Sequence, residues 1–132
     1  MKIEGQEFVH FFSLTPRQIA EHSWHDADRF FVDPATFSPE QIATQRANMQ
    51  TMGLLAGDPY MHDPSLLGKL GAVAVPALVL WGESDRVFTL DYGRAYAAAF
   101  GDGRFELLAE AGHLPQLEQP AATFAAIDAF VA

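Results

Sequence analysis

The chain has 132 residues, no cysteine, and seventeen Asp and Glu against eight Lys and Arg, a formal charge of -9. That length suits one domain with a modest core, and the lack of cysteine excludes disulfides, thiolate metal sites and cysteine nucleophiles. So acidic a surface repels phosphate backbones and anionic lipid, which argues against nucleic acid and membrane surfaces as partners.

The opening residues, Met1-Lys2-Ile3-Glu4-Gly5-Gln6-Glu7, lack the apolar stretch of a secretory signal. The longest apolar run, Ala72 to Trp81, contains Pro76 and is about half of what a membrane span needs. A cytoplasmic location is the expectation.

Residues 1–70 are rich in Pro, His, Met and Phe and show no strong strand signal. Thr15-Pro16-Arg17-Gln18 predicts a helix start, with Thr15 as N-cap, Pro16 as first helical residue and Gln18 closing a capping box. Ser38-Pro39-Glu40-Gln41 repeats the signature, and Glu40 suits the positive end of the helix dipole. That second helix is expected to run through Ile42, Gln45, Met49 and Met52 and to stop near Gly53. Gly57-Asp58-Pro59 and His62-Asp63-Pro64 are turn material.

From residue 71 onward, strand and helix alternate. Val75-Pro76-Ala77-Leu78-Val79-Leu80-Trp81, bounded by Gly71 and Gly82, predicts a strand buried on both faces of a parallel sheet. Pro76 fits only at its start. Tyr92 to Phe100 predicts an alanine-rich helix closed by Gly101, and Arg104 to Leu108 a second strand. Gln119-Pro120 opens a last helix whose Phe124, Ile127 and Val131 form one apolar stripe. Strand, helix, strand at this spacing implies a parallel crossover.

Loops at the carboxyl ends of such strands are where open α/β sheets place their sites. The first loop is Gly82-Glu83-Ser84-Asp85-Arg86, the second Ala109-Glu110-Ala111-Gly112-His113-Leu114-Pro115. An isolated Asp in a Gly-Glu-Ser-Asp turn is ordinary turn chemistry, and an isolated Gly-His an ordinary loop. On consecutive strand ends, however, an acid and a histidine form the supporting pair of a nucleophilic triad. The carboxylate fixes the imidazole tautomer and stabilises its charged form, and the imidazole takes a proton from a hydroxyl or a water.

The segments "VPALVLWGESDRV" and "RFELLAEAGHLPQLEQPAATFAAIDAFV" resemble the last two strands and helices of an α/β-hydrolase. The matching pieces are Pro76, the apolar strand, Gly82, Asp85, Gly112-His113 and the Glu118-Gln119-Pro120 helix start. The resemblance implies that Asp85 is the triad acid and His113 the base, in the family's order of acid before histidine. The first half, including "DPSLLGKL", is similar to the family's helical cap. The fold class so implied is α/β, with a cap-like segment over 1–70 and a β-α-β-α core segment over 71–132.

One part of the family pattern is missing. No G-x-S-x-G nucleophile elbow occurs, the serines being Ser13, Ser23, Ser38, Ser65 and Ser84. Ser84 stands in the acid loop, and the oxyanion-hole loop of the family lies upstream of anything matched here. The chain therefore corresponds to roughly the last half of such an enzyme. The parent activity implied is hydrolysis of an ester, or of a related acyl, C–C or epoxide substrate, with no cofactor and no metal, and the chain alone is expected to be inactive. Leu114-Pro115 after His113 counts against the ring-cleaving C–C hydrolases, where a His-Trp pair is associated with that place.

Two further features stay open. His22, His25, Asp26 and Asp28 have the residue types of a metal site, but lack the Glu between two His at i, i+4 of the zinc proteases, and a solvated helix end accounts for them equally. Phe8, Phe11, Phe12, Trp24, Phe30, Phe31, Phe37, Met49 and Met52 would either line an acyl or aromatic pocket or form plain core. The reading of another class is a non-catalytic module that oligomerises or docks on a partner. An apolar strand edge without its upstream neighbour is a template for pairing, so a homodimer, or complementation by an N-terminal segment, is expected.

Overall fold

The computed structural model describes residues 8–132, so the opening heptapeptide Met1 to Glu7 lies outside the described residues. The first region is helical. A single 3-10 turn, Phe11–Ser13, leads into α1 (Pro16–Ser23), α2 (Ala27–Phe30), a second 3-10 turn at Pro34–Thr36, α3 (Pro39–Ala56) and α4 (Leu66–Gly71). The second region runs β1 (Ala77–Gly82), α5 (Leu90–Ala98), β2 (Gly103–Leu108), α6 (Pro115–Glu118) and α7 (Pro120–Val131).

Both capping boxes form. Thr15 Oγ1 accepts from the Gln18 amide while Gln18 Oε1 accepts from the Thr15 amide, and Ser38 and Gln41 do the same for α3. These reciprocal bonds satisfy amides that have no partner inside the helix, so both starts can be read from four residues. Helix α3 runs three residues beyond its expected stop. Gly53 is tolerated in the helix, and Gly57, with φ 65°, ends it instead. Only a residue without Cβ takes that conformation cheaply.

Strands β1 and β2 pair in parallel, from Ala77 opposite Gly103 to Gly82 opposite Leu108. The strand starts after Val75 and Pro76, since proline has no N–H for the ladder. Burial on both faces is not realised. Within β1 only Val79 and Gly82 are fully buried, because a sheet of two strands carries too little packed against it. Helix α5 packs on both strands and α7 on β1. Thr89 caps α5, its hydroxyl accepting from the Tyr92 amide, and Asp91 lies in the first turn. The core is Val79, Val87, Tyr92, Ala97, Leu108, Ala111 and Ala126, with Ala20, Ala56 and Leu70 at its margins.

The expected apolar stripe of α7 is turned outward. Phe124, Ile127 and Val131 are exposed, while Thr123 and Ala126 face in. The buried face lies one residue earlier, about 100° around the helix. Small Thr and Ala side chains let α7 sit close to the sheet. The total accessible surface, 8494 Å², exceeds the roughly 6900 Å² expected of a folded monomer of this mass. Among the described residues, large apolar side chains such as Leu54, Leu55, Phe124 and Val131 stand exposed.

Candidate active site

The two loops meet because of two glycines. A Cβ on Gly82, the last residue of β1, would strike the Gly112 and Ala111 carbonyls. A Cβ on Gly112 would strike the Ser23 carbonyl and the Trp24 backbone. The loop after β1, the loop after β2 and the strap joining α1 to α2 therefore share one tight junction. Backbone bonds lace it together: Ser84 N donates to Ala111 O at 2.8 Å, Arg86 N to His22 O at 3.1 Å, and His113 N to Ser23 O at 2.7 Å.

Asp85 and His113 come together there. His113 Nδ1 lies 3.0 Å from Asp85 Oδ2. The other carboxylate oxygen accepts from the Val87 and Phe88 amides at 2.8 and 3.1 Å, so the acid cannot swing away. The Asp85 side chain is 5% exposed and that of His113 37%. An ionised carboxylate only accepts, so the neutral imidazole places its proton on Nδ1 and leaves the Nε2 lone pair free. The Phe88 ring stands against the imidazole at 5.9 Å between centroids and stacks in turn on Tyr92 at 4.9 Å. A buried acid holding a half-exposed histidine in one tautomer has the parts for general-base chemistry. Burial, with Tyr96 nearby, pushes the Tyr92 hydroxyl up from its ordinary value.

Two features escaped the sequence reading. His25 does not stand alone at a helix end, because its Nδ1 meets Ser84 Oγ at 2.7 Å. Glu118, read only as part of a helix start, takes three backbone N–H groups on one carboxylate: Gly112 N at 2.6 Å, His25 N at 2.8 Å and Asp26 N at 3.1 Å. Its offset of five residues after His113 was visible, but not the strap it reaches.

The four residues considered for a metal go to separate partners. His22 Nδ1 meets Gln18 O, His25 meets Ser84, Asp26 caps α2 by accepting from Arg29 N, and Asp28 pairs with Arg17. Asp28 and Glu21 raise the Arg17 guanidinium further above its already high value. Among the described residues no cluster of three or more such groups is arranged around a common point. The cap-region aromatics split. Phe11, Phe12, Trp24, Phe30, Phe31 and Phe37 line a cavity of about 620 Å³ with Met49 at its wall, whereas Phe8 packs on Phe88 and Tyr92. Trp24 and Phe30 stack at 4.8 Å within it.

A family model described as the alpha/beta hydrolase family matches residues 4–127. No curated protein matches. Among solved structures, a thermophilic esterase from Thermogutta terrifontis, in its malate-bound form, is 32% identical over 52% of this chain and 25% of its own, with a TM-score of 0.50. Rv0554 from Mycobacterium tuberculosis is 24% identical over 92% of this chain and 50% of its own, with a TM-score of 0.50. The candidate lipase lip1 from Acinetobacter baumannii AYE is 16% identical over 98% of this chain and 48% of its own, with a TM-score of 0.60. The last two likenesses concern the fold alone. The chain spans a quarter to a half of the length of these proteins.

Proposed function

The chain belongs to the alpha/beta hydrolase family, and from that premise we propose that it supplies the acid and the histidine of a hydrolytic site, Asp85 and His113. The observation that carries this is the 3.0 Å contact between His113 Nδ1 and Asp85 Oδ2, with the acid buried and locked by two amides. Residues 1–70 act as the cap and 71–132 as the C-terminal part of the core. The nucleophile and the oxyanion donors come from polypeptide outside these 132 residues, since no G-x-S-x-G occurs among them.

In the assembled site His113 Nε2 takes the proton of a nucleophilic hydroxyl, or of water, as the nucleophile attacks an ester or related acyl, C–C or epoxide carbon. Asp85 stabilises the resulting imidazolium, which then returns the proton to the leaving group. The aromatic cavity beside α1 and α3 suits the apolar part of such a substrate. Alone, the chain is inactive. Loss of the triad serine costs on the order of a millionfold in kcat, and the missing oxyanion donors a further hundredfold or more. Hydrolysis of p-nitrophenyl acetate should therefore stay at the background of free imidazole. Saturable turnover abolished by His113→Ala would contradict the reading.

A second reading, a non-catalytic module that oligomerises or docks, is favoured by one observation: Phe124, Ile127 and Val131 stand exposed in a row along α7. A homodimer, or a complex with an N-terminal hydrolase segment, would cover them. Sedimentation velocity separates the cases, since a monodisperse monomer at micromolar concentration argues against the dimer. No helix among the described residues is long and apolar enough to cross a membrane.

A further inference from the structure

The Glu118 carboxylate is unusual in what it holds. Its Oε2 accepts from the amide next to the candidate base, Gly112 N, and its Oε1 accepts from His25 N and Asp26 N on the strap. Among the described residues no Lys or Arg pairs with it, so backbone dipoles alone balance its charge. Charged acceptors make shorter and stronger hydrogen bonds than neutral ones. The strap reaches back to the same loop, because Ser23 O accepts from His113 N at 2.7 Å. Glu118, Gly112, His113 and Ser23 to Asp26 thus close a ring of bonds around the histidine. The ring has no slack, since Gly112 lies against the Ser23 carbonyl without room for a Cβ. Glu118 itself ends α6, whose first residue, Pro115, comes two residues after His113, so the anchor is tied to the histidine loop by a short stretch of chain.

We propose that Glu118 is a positioning residue: by clamping Gly112 and the strap on one carboxylate, it fixes where the His113 imidazole stands relative to Asp85. This rests on the reading of Asp85 and His113 as an acid–base pair. Without the carboxylate, three N–H groups converge on an empty point, and the histidine loop can part from the strap. A glutamine cannot substitute. Its one carbonyl oxygen can serve either Gly112 or the strap, and its NH2 then faces a donor.

The test uses the full chain, isotope-labelled, in solution. Through-hydrogen-bond couplings should connect the amide nitrogens of Gly112, His25 and Asp26 to the Glu118 side-chain carboxyl carbon. In Glu118→Gln the imidazole 15N signals of His113 should move from a single fixed Nδ1–H tautomer to an average of the two, with β1 and β2 amides still protected from exchange. A rigid structural role alone would leave the tautomer where it is. Unchanged His113 signals in a folded Glu118→Gln, or wild-type couplings missing at Gly112, would overturn the proposal. Should Glu118→Gln fail to fold, Glu118→Asp, one methylene short of the strap, takes its place and the wild-type couplings remain decisive. Asp85→Asn separates the two readings. A tautomer that ignores Asp85→Asn but responds to Glu118→Gln sinks the acid–base pair and leaves the clamp standing.

Discussion

Helix α3 and the β1-α5-β2 unit are built on opposite principles. The 18 residues of α3 are almost all exposed, with Ala56 alone buried, and the helix is held by its own ends: a capping box at Ser38 and Gly57 at its close. The β1-α5-β2 unit has weaker local signals but buries Val79, Tyr92, Ala97 and Leu108 against one another across the chain. Isolated helices are marginal in water whatever their caps, so most helical stability in proteins comes from packing. The contrast teaches that α3 rests on its caps with little burial of its own, while the second region holds most of the buried core.

The strongest way to break that comparison is to truncate leucines in both regions, one at a time. Leu108, 4% exposed, should cost about 2–5 kcal/mol when replaced by alanine. Leu54 and Leu55, 83% and 81% exposed, should each change stability by less than about 0.5 kcal/mol. Urea denaturation read by tryptophan fluorescence checks both. Equal costs in the two regions would mean that α3 is buried in solution, in an oligomer or against another segment.

A smaller effect sharpens the local side. Ser38→Ala removes one half of the capping box and should cost α3 about 1 kcal/mol. Amide exchange should quicken in the first turns of α3 and stay as it was in β1 and β2. A loss spread over both regions would show that they unfold as one unit.

The second region contains its own flaw. Among the described residues, the buried Thr123 Oγ1 has no hydrogen-bond partner. Thr123→Val keeps the shape and removes the unsatisfied hydroxyl, so it should raise stability by about 1 kcal/mol. A lower melting temperature would mean that the hydroxyl has a partner in solution, supplied by water or by another chain.

The smallest effect is near the end of the first region. Lys69 and Ser65 hold the Asp63 carboxyl well below the usual carboxylate range. Its folded value is depressed, so its contribution is present above the unfolded value and fades as pH falls below it, toward the folded one. The difference in melting temperature between wild type and Asp63→Asn should be small and constant from pH 5 to 7, then shrink below about pH 4. A difference unchanged at pH 2 would place the stabilisation elsewhere.

What could be read in advance follows the same division. Thr15 and Ser38 announce their helices within four residues, because a cap is a local bond. Both strands and the parallel pairing were legible from apolar runs and their spacing, and so was the meeting of Asp85 with His113. The inward face of α7 was not. Phe124, Ile127 and Val131 form a proper stripe, but the helix is docked by small residues, and close approach to a sheet is decided by the partner surface. The reach of Glu118 to His25 and Asp26 was hidden for the same reason: it spans more than ninety residues and depends on the strap folding over the loop.

The central claim is that Asp85 sets the state of His113, and imidazole 15N NMR on the wild-type chain and Asp85→Asn tests it directly. The account predicts that neutral His113 in the wild type carries its proton on Nδ1, and that Asp85→Asn, whose NH2 then faces Nδ1, shifts the proton to Nε2. A wild-type His113 protonated on Nε2, or a tautomer indifferent to the loss of the carboxylate, would contradict it.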